Sequence, residues 1–108
     1  MVNAMKMHIP RTNIVITVRL KVKPDFVSRM RVMAHDLMAA SRTEDGCIFY
    51  LITESRDDES HFFLFMVWRD EEAYAKYSAS PYMRAFENEI SHGIVGKHST
   101  VETWHSLG

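Results

Sequence analysis

The sequence predicts an α+β fold of ferredoxin-like type, in the order β-α-β-β-α-β, with both helical segments on one face of an antiparallel sheet. Three observations predict it. Two short apolar runs, Cys47 to Thr53 and His61 to Trp68, flank the charged loop Glu54 to Ser60 and read as a hairpin. A run of period two, Asn13 to Val22, opens the chain, and a stretch rich in Thr, Val and Trp, Lys97 to His105, closes it. Between them lie two stretches with helix-start signals and apolar spacings of three and four.

The first strand places Ile14, Ile16, Val18, Leu20 and Val22 on one face and Thr17, Arg19 and Lys21 on the other. Lys23-Pro24-Asp25 starts a helix, because Pro tolerates the first helical position and Asp favours the positive end of the helix dipole. Phe26, Met30, Met33, Leu37 and Met38 give it an apolar stripe about 17 residues long. It ends before Thr43-Glu44-Asp45-Gly46, where Gly46 supplies a turn or cap. After the hairpin, Asp70 is an N-cap with Glu71 and Glu72 in the first turn, so a short helix covers Ala73 to Tyr77. Ser80-Pro81 starts another, with Met83, Phe86 and Ile90 as its stripe and His92-Gly93 as its end.

The hairpin strands are apolar on both faces. Strict alternation sends Ile48, Tyr50 and Ile52 one way and Cys47, Phe49 and Leu51 the other; Phe62, Leu64, Met66 and Trp68 likewise oppose Phe63, Phe65 and Val67. Helices on one side of the sheet cover one set only. Covering the other calls for a second copy, so a homodimer with two sheets face to face is expected.

At 108 residues, one domain is expected, covering 13–108 after a loose leader, 1–12. The formal net charge of −1 gives no basic footprint for nucleic acid. No apolar run is long enough to span a membrane, and the N-terminal stretch has no signal-peptide core. The single cysteine, Cys47, rules out an internal disulfide; a reducing, cytoplasmic location is the expectation.

Ser41-Arg42-Thr43-Glu44-Asp45-Gly46-Cys47-Ile48-Phe49-Tyr50 resembles the S-R-x-E-x-G-C-x-x-Y segment of the antibiotic biosynthesis monooxygenase (ABM) domain. Trp68-Arg69-Asp70-Glu71-Glu72-Ala73 is similar to that family's W-x-D-x-x-A, and Ser80 and Phe86 fall where its closing Ser and Phe fall. The likeness runs over about residues 13 to 105. It implies a ferredoxin-like protomer paired into a dimeric α+β barrel. Members include cofactor-free monooxygenases of quinols and anthrones, haem-degrading enzymes and isomerases of small signalling molecules, so the fold leaves the reaction open. The chain departs from the pattern: Met66 replaces a frequent Glu, and Tyr77 and Tyr82 replace frequent His residues. Where haem-degrading members carry an Asn, a Trp and a proximal His, this chain has Val18, Tyr77 and Glu87.

Trp68 fits either a core aromatic or the wall of a ligand pocket; its flat surface and single N–H suit a planar phenolic ligand. Tyr50, Tyr74, Tyr77 and Tyr82 fit packing or the orientation of a substrate hydroxyl. Phe65, Met66 and Phe86 complete the candidate binding residues. Of six histidines, His35 (mid-helix) and His61 (opening a strand) are the two to test as a base, although both also read as surface residues. No pair shows metal-ligand spacing; His98 and His105, at odd separation on a strand, face opposite ways. Cys47, in an apolar run, reads as a small core hydrophobe. These residues, with the resemblance, lead to a cofactor-free monooxygenase of a small phenol, quinol or anthrone, with Trp68, Tyr77, His35 and His61 as candidate catalytic groups and no cofactor. The alternative is a dimer that binds a small apolar metabolite without oxygenating it, or isomerises it.

Overall fold

The computed structural model describes residues 12–107, and of residues 96–98 the backbone alone. The leader reading therefore falls, apart from Thr12, outside the described residues. Strand β1 covers Ile14–Val22, helix α1 Val27–Ser41, β2 Cys47–Glu54, β3 His61–Trp68, α2 Glu71–Ser78, α3 Pro81–Ile90 and β4 Ile94–His105. A single 3-10 turn, Pro24–Phe26, leads into α1. The four strands form one antiparallel sheet in the order β2-β3-β1-β4. This is the α+β ferredoxin-like arrangement that the order of elements predicts.

The local signals act as expected where they are strongest. The Asp70 carboxylate accepts from the Ala73 N–H at 2.9 Å, and the Ser80 hydroxyl accepts from the Met83 N–H at 3.3 Å. In α1 the inward positions are Val27, Met30, Met33, Ala34, Leu37 and Ser41; of the expected stripe Met30, Met33 and Leu37 are buried, while Met38 is half-buried and Phe26 falls in the 3-10 turn before the helix. They close over Ile16, Leu20, Val22, Tyr50, Ile52, Phe62, Leu64, Met66 and Trp68 of the sheet, with Tyr77, Phe86 and Ile90 from the later helices. That layer is the core.

The structure departs from one expected strand face and one expected strand boundary. The β2–β3 register shifts between Cys47 and Phe49: Cys47 pairs with Trp68 and Phe49 with Val67, which leaves Ile48 as an extra residue. Such a bulge places two residues opposite one and breaks the alternation. Cys47 therefore packs against the core beside Tyr50 and Ile52, while Ile48 turns out to solvent. Lys97 to His105 is likewise only part of β4, which begins at Ile94, beyond a register shift opposite Leu20 and Val22.

The face of the sheet away from the helices carries Val15, Phe49, Leu51, Phe63, Phe65, Val67 and Trp104. Phe49 is 45% exposed, Leu51 39% and Trp104 49%. The Arg19 guanidinium lies 5.2 Å over the Phe63 ring, and the Trp104 indole donates to Thr17 Oγ1 at 2.9 Å. Val67 is buried among its neighbours and Val15, Phe63 and Phe65 are half-buried, so the open apolar surface is that of Phe49, Leu51 and Trp104.

Candidate functional site

On the helix side, the end of β3 meets α2 and α3 in a group of five aromatic rings. The Trp68 and Tyr77 rings lie tilted at 32° to each other with centroids 4.5 Å apart. Tyr50 meets Tyr77 edge-on at 5.7 Å and Trp68 at 6.4 Å. Tyr74 and Tyr82 approach Tyr77 at 6.1 and 6.2 Å. The arrangement follows from register and helix period: Trp68 shares its sheet face with Met66, whose partner across β2 is Tyr50. Tyr74 and Tyr77 are one turn apart on α2, and Tyr82 lies in the first turn of α3.

Trp68, Tyr50 and Tyr77 are enclosed, whereas Tyr74 and Tyr82 are half-buried. Enclosure makes the polar atoms costly unless paired. The Tyr50 and Tyr77 hydroxyls bond each other at 2.6 Å. Burial pushes Tyr77 far above the ordinary phenol range and Tyr50 up to about 12, so both hydroxyls keep their protons and either can donate. The Trp68 Nε1 and the Ser41 hydroxyl are buried with no hydrogen-bond partner. Ser41 nonetheless lies beside the Tyr50 and Tyr82 phenols and offsets part of the rise at each. Both polar atoms lie in the same aromatic enclosure.

The loop from α1 to β2 forms one wall. Arg42 donates from Nε and Nη2 to the Tyr50 carbonyl at 3.1 and 2.7 Å, which ties the loop to β2 just past the bulge. Asp45 pairs with Arg69 at 2.9 Å. At Gly46 an added Cβ would come within 2.3 Å of the Ala73 Cβ, so only glycine lets the loop lie this close to α2. The loop thereby presents Glu44, whose carboxylate accepts from the Tyr82 hydroxyl at 2.7 Å. Burial, then this bond, pushes Tyr82 up to about 12. On its other side Tyr82 borders a hollow of about 160 Å³ between α1 and α3, lined also by Met33, Leu37 and Phe86, with the Arg29–Glu89 ion pair at its rim. Tyr74 borders a second groove of about 580 Å³, with Ile14, Ser78, Arg84 and Thr103.

The structure thus brings together Trp68, Tyr77, Tyr50, Tyr74 and Tyr82, with Met66 beneath them and Phe86 in the neighbouring hollow. Phe65 is not among them. It stands on the opposite face, edge-on to Phe49 at 5.9 Å, because adjacent strand residues point to opposite sides. His61 begins β3 seven positions from Trp68, about 23 Å along the strand, and pairs with Lys21. His35 is exposed on α1 beside Ile52, Thr53 and Phe62. Neither histidine reaches the rings. Burial pushes the Cys47 thiol up, which keeps it protonated and a poor nucleophile. The residues do not fit a haem: Glu87, where haem-degrading members carry the proximal His, is exposed on α3, and His105, on the same sheet face as Trp68 across Ile14, is exposed at the end of β4. Among the described residues no group of three or more His, Cys, Asp or Glu could hold a metal; the side chain of His98 lies outside them.

Ser41 and Glu44 are the members that sequence reasoning passed over. A signal for Ser41 exists: it continues the stripe Met30-Ala34-Leu37 by one more turn. Both are also fixed letters of the S-R-x-E-x-G-C-x-x-Y segment, but the motif does not disclose that Glu44 meets Tyr82, a contact between a loop and the first turn of α3 that only the folded chain makes.

Residues 13–89 match the family model described as antibiotic biosynthesis monooxygenase. The chain belongs to this family. An uncharacterized protein of Synechocystis sp. is 33% identical over 91 residues, or 84% of the chain; the chain spans 61% of that relative's length. The crystal structure of PA3566 from Pseudomonas aeruginosa superposes with a TM-score of 0.82 at 20% identity, covering 94% of this chain and 100% of that one. Rv0793 of Mycobacterium tuberculosis gives 0.82 at 23% identity, covering 89% and 96%. A structure described as an antibiotic biosynthesis monooxygenase gives 0.82 at 18%, covering 88% and 99%. At these identities the likeness speaks for the fold.

Proposed function

We propose that this protein is a monooxygenase that oxidises a small phenol, quinol or anthrone with molecular oxygen, and that it works as a homodimer. The observation that carries the reading is the aromatic enclosure at Trp68, in a chain of this family, holding two buried polar atoms without partners. A planar phenolic ligand suits those rings and could satisfy the Trp68 N–H. Tyr74, being half-buried, is the ring that gives way to admit it; Trp68 and Tyr77 stay as the floor, and Tyr82 is held by its bond to Glu44. In this scheme the substrate loses a proton and the anion passes one electron to oxygen. The resulting radical and superoxide combine to a peroxide anion, which takes back a proton to give the hydroperoxide, and loss of water leaves one oxygen atom in the product as a new carbonyl. Such a substrate needs no flavin to activate oxygen. The protein's part is to exclude water, orient the ring and stabilise the anion through the Tyr77 and Trp68 donors.

The dimer reading rests on the open sheet face, whose contiguous Phe, Leu and Trp side chains favour burial against a second copy. A monodisperse monomer at micromolar concentration in sedimentation would remove it.

The test is turnover. Metal-stripped protein is mixed with a reduced naphthoquinol under labelled oxygen and followed by mass spectrometry. Label in the product, faster than autoxidation and reduced in Trp68→Phe and Tyr77→Phe proteins that remain folded, is the expected result. A second reading, binding without chemistry, is favoured by Met66, Tyr77 and Tyr82 standing where the family often carries Glu and His. A quinol that raises the melting temperature but returns unlabelled would select it.

A further inference from the structure

We infer that Glu44 is the proton acceptor of this site and that it acts through Tyr82. The inference rests on the reading of the enclosure as a phenol site. The positions where the family often has ionisable groups here carry Met66, Tyr77 and Tyr82, and His35 and His61 lie elsewhere on the molecule. A proton leaving a ligand in this enclosure still needs a destination. Glu44 is the carboxylate in hydrogen-bond contact with one of the five rings.

The geometry supplies a two-step route. The Tyr82 hydroxyl donates to Glu44 Oε2 at 2.7 Å, which leaves the phenol oxygen's lone pairs to accept from a ligand. The buried Ser41 hydroxyl lies close to both the Tyr50 and Tyr82 phenols, a polar group on the same side of the enclosure as the relay. When the ligand gives up its proton, its O–H bond breaks and a new O–H forms at Tyr82. Tyr82 passes its own proton to Glu44, so the products are the ligand anion, neutral tyrosine and glutamic acid. Glu44 is half-buried, with Asp45, Arg69, Glu72 and Lys76 on its solvent side and Arg42 along its loop. Its acquired proton has a short way to water. Tyr82 is thus catalytic, in contact with the ligand, and Glu44 a positioning and accepting residue behind it.

A carboxylate that accepts through a relay favours a ligand that still has its proton and repels one that has lost it. Binding of 4-nitrophenol, followed by its absorption across its own titration, reads this without turnover. The wild type is expected to bind the phenol at least tenfold more tightly than the phenolate. Glu44→Gln and Tyr82→Phe lose that preference, while Glu44→Asp keeps part of it. If the Tyr82–Glu44 bond merely fastens the loop to α3, the substitutions weaken phenol and phenolate alike, and the inference is overturned. Failure of the wild type to bind any nitrophenol overturns both this inference and the phenol-site reading. With a naphthoquinol, Glu44→Gln should lower kcat at least tenfold with KM little changed. Full kcat in Glu44→Gln overturns the inference and leaves the oxygenase standing. A phenol preference that depends on Glu44, with no labelled product, leaves the inference and removes the oxygenase.

Discussion

The two faces of the one sheet are made of similar residues and have opposite fates. On the helix side, Leu64, Met66 and Trp68 are all but fully enclosed, and their polar atoms are paired or conspicuously unpaired. On the other side, Phe49, Leu51 and Trp104 remain between a third and a half exposed. Aromatic content does not distinguish the faces; cover does. Helices α1, α2 and α3 supply cover, enclosure and hydrogen-bond partners to one face, and make it a place where a polar ligand group matters. The other face is a surface that gains most by meeting an equally apolar one.

The largest expected effect separates the faces by stability. Trp68→Ala empties the centre of the enclosed layer and should cost about 3–5 kcal/mol in chemical denaturation, whereas Trp104→Ala should stay within about 1 kcal/mol for the protomer. Equal losses would mean that the open face is as much a core as the other. Gly46→Ala tests how closely the enclosed side is packed. Its new Cβ would lie 2.3 Å from the Ala73 Cβ, so the loop must retreat from α2. A loss of about 1–3 kcal/mol is expected, together with a weaker Tyr82–Glu44 contact seen in the near-ultraviolet tyrosine signal. Phe65→Glu acts on the open face. A charge at the proposed interface should weaken self-association at least tenfold by sedimentation, with the protomer's unfolding midpoint at low concentration little changed. An unchanged assembly would move the interface elsewhere.

The smallest effect is a slope. Tyr50 and Tyr82 are both pushed up to about 12, chiefly by burial. A phenol whose folded pKa is raised contributes stability that is complete below its unfolded pKa, about 10, and is lost as pH rises through the folded value. Stability should therefore decline between about pH 10 and 12, and Tyr50→Phe should flatten the decline. Thermal melts along that range check it. A flat profile in the wild type would show that the enclosure admits water.

Much of the fold could be read from the chain because it rests on local chemistry. The Asp70 and Ser80 caps, the hairpin from Cys47 to Trp68 and the alternation of β1 stand in the structure at their expected residues. The site was legible in part. Trp68, Tyr77, Tyr50, Tyr74 and Tyr82 could be named from the motif and from their type, but not sorted. Phe65 was grouped with Met66 and Trp68 although period two puts it on the other face. Cys47 and Ile48 exchanged sides because a bulge is a property of two paired strands, and one strand's pattern does not disclose it. His35 and His61 have the chemistry of a base, but their places on α1 and at the start of β3 lie away from the rings.

By itself, then, the sequence determined the elements, their order, the apolar stripes and the family, since each depends on residues within one or two turns or on a motif read along the chain. Only the tertiary structure decided which aromatics share an enclosure and that Ser41 faces it. It also decided that Glu44 reaches Tyr82 across 38 positions of sequence. Those facts depend on how the loop after α1 passes α2 and the start of α3, a close approach set by Gly46 against Ala73. No local propensity encodes a distance between segments so far apart in the chain.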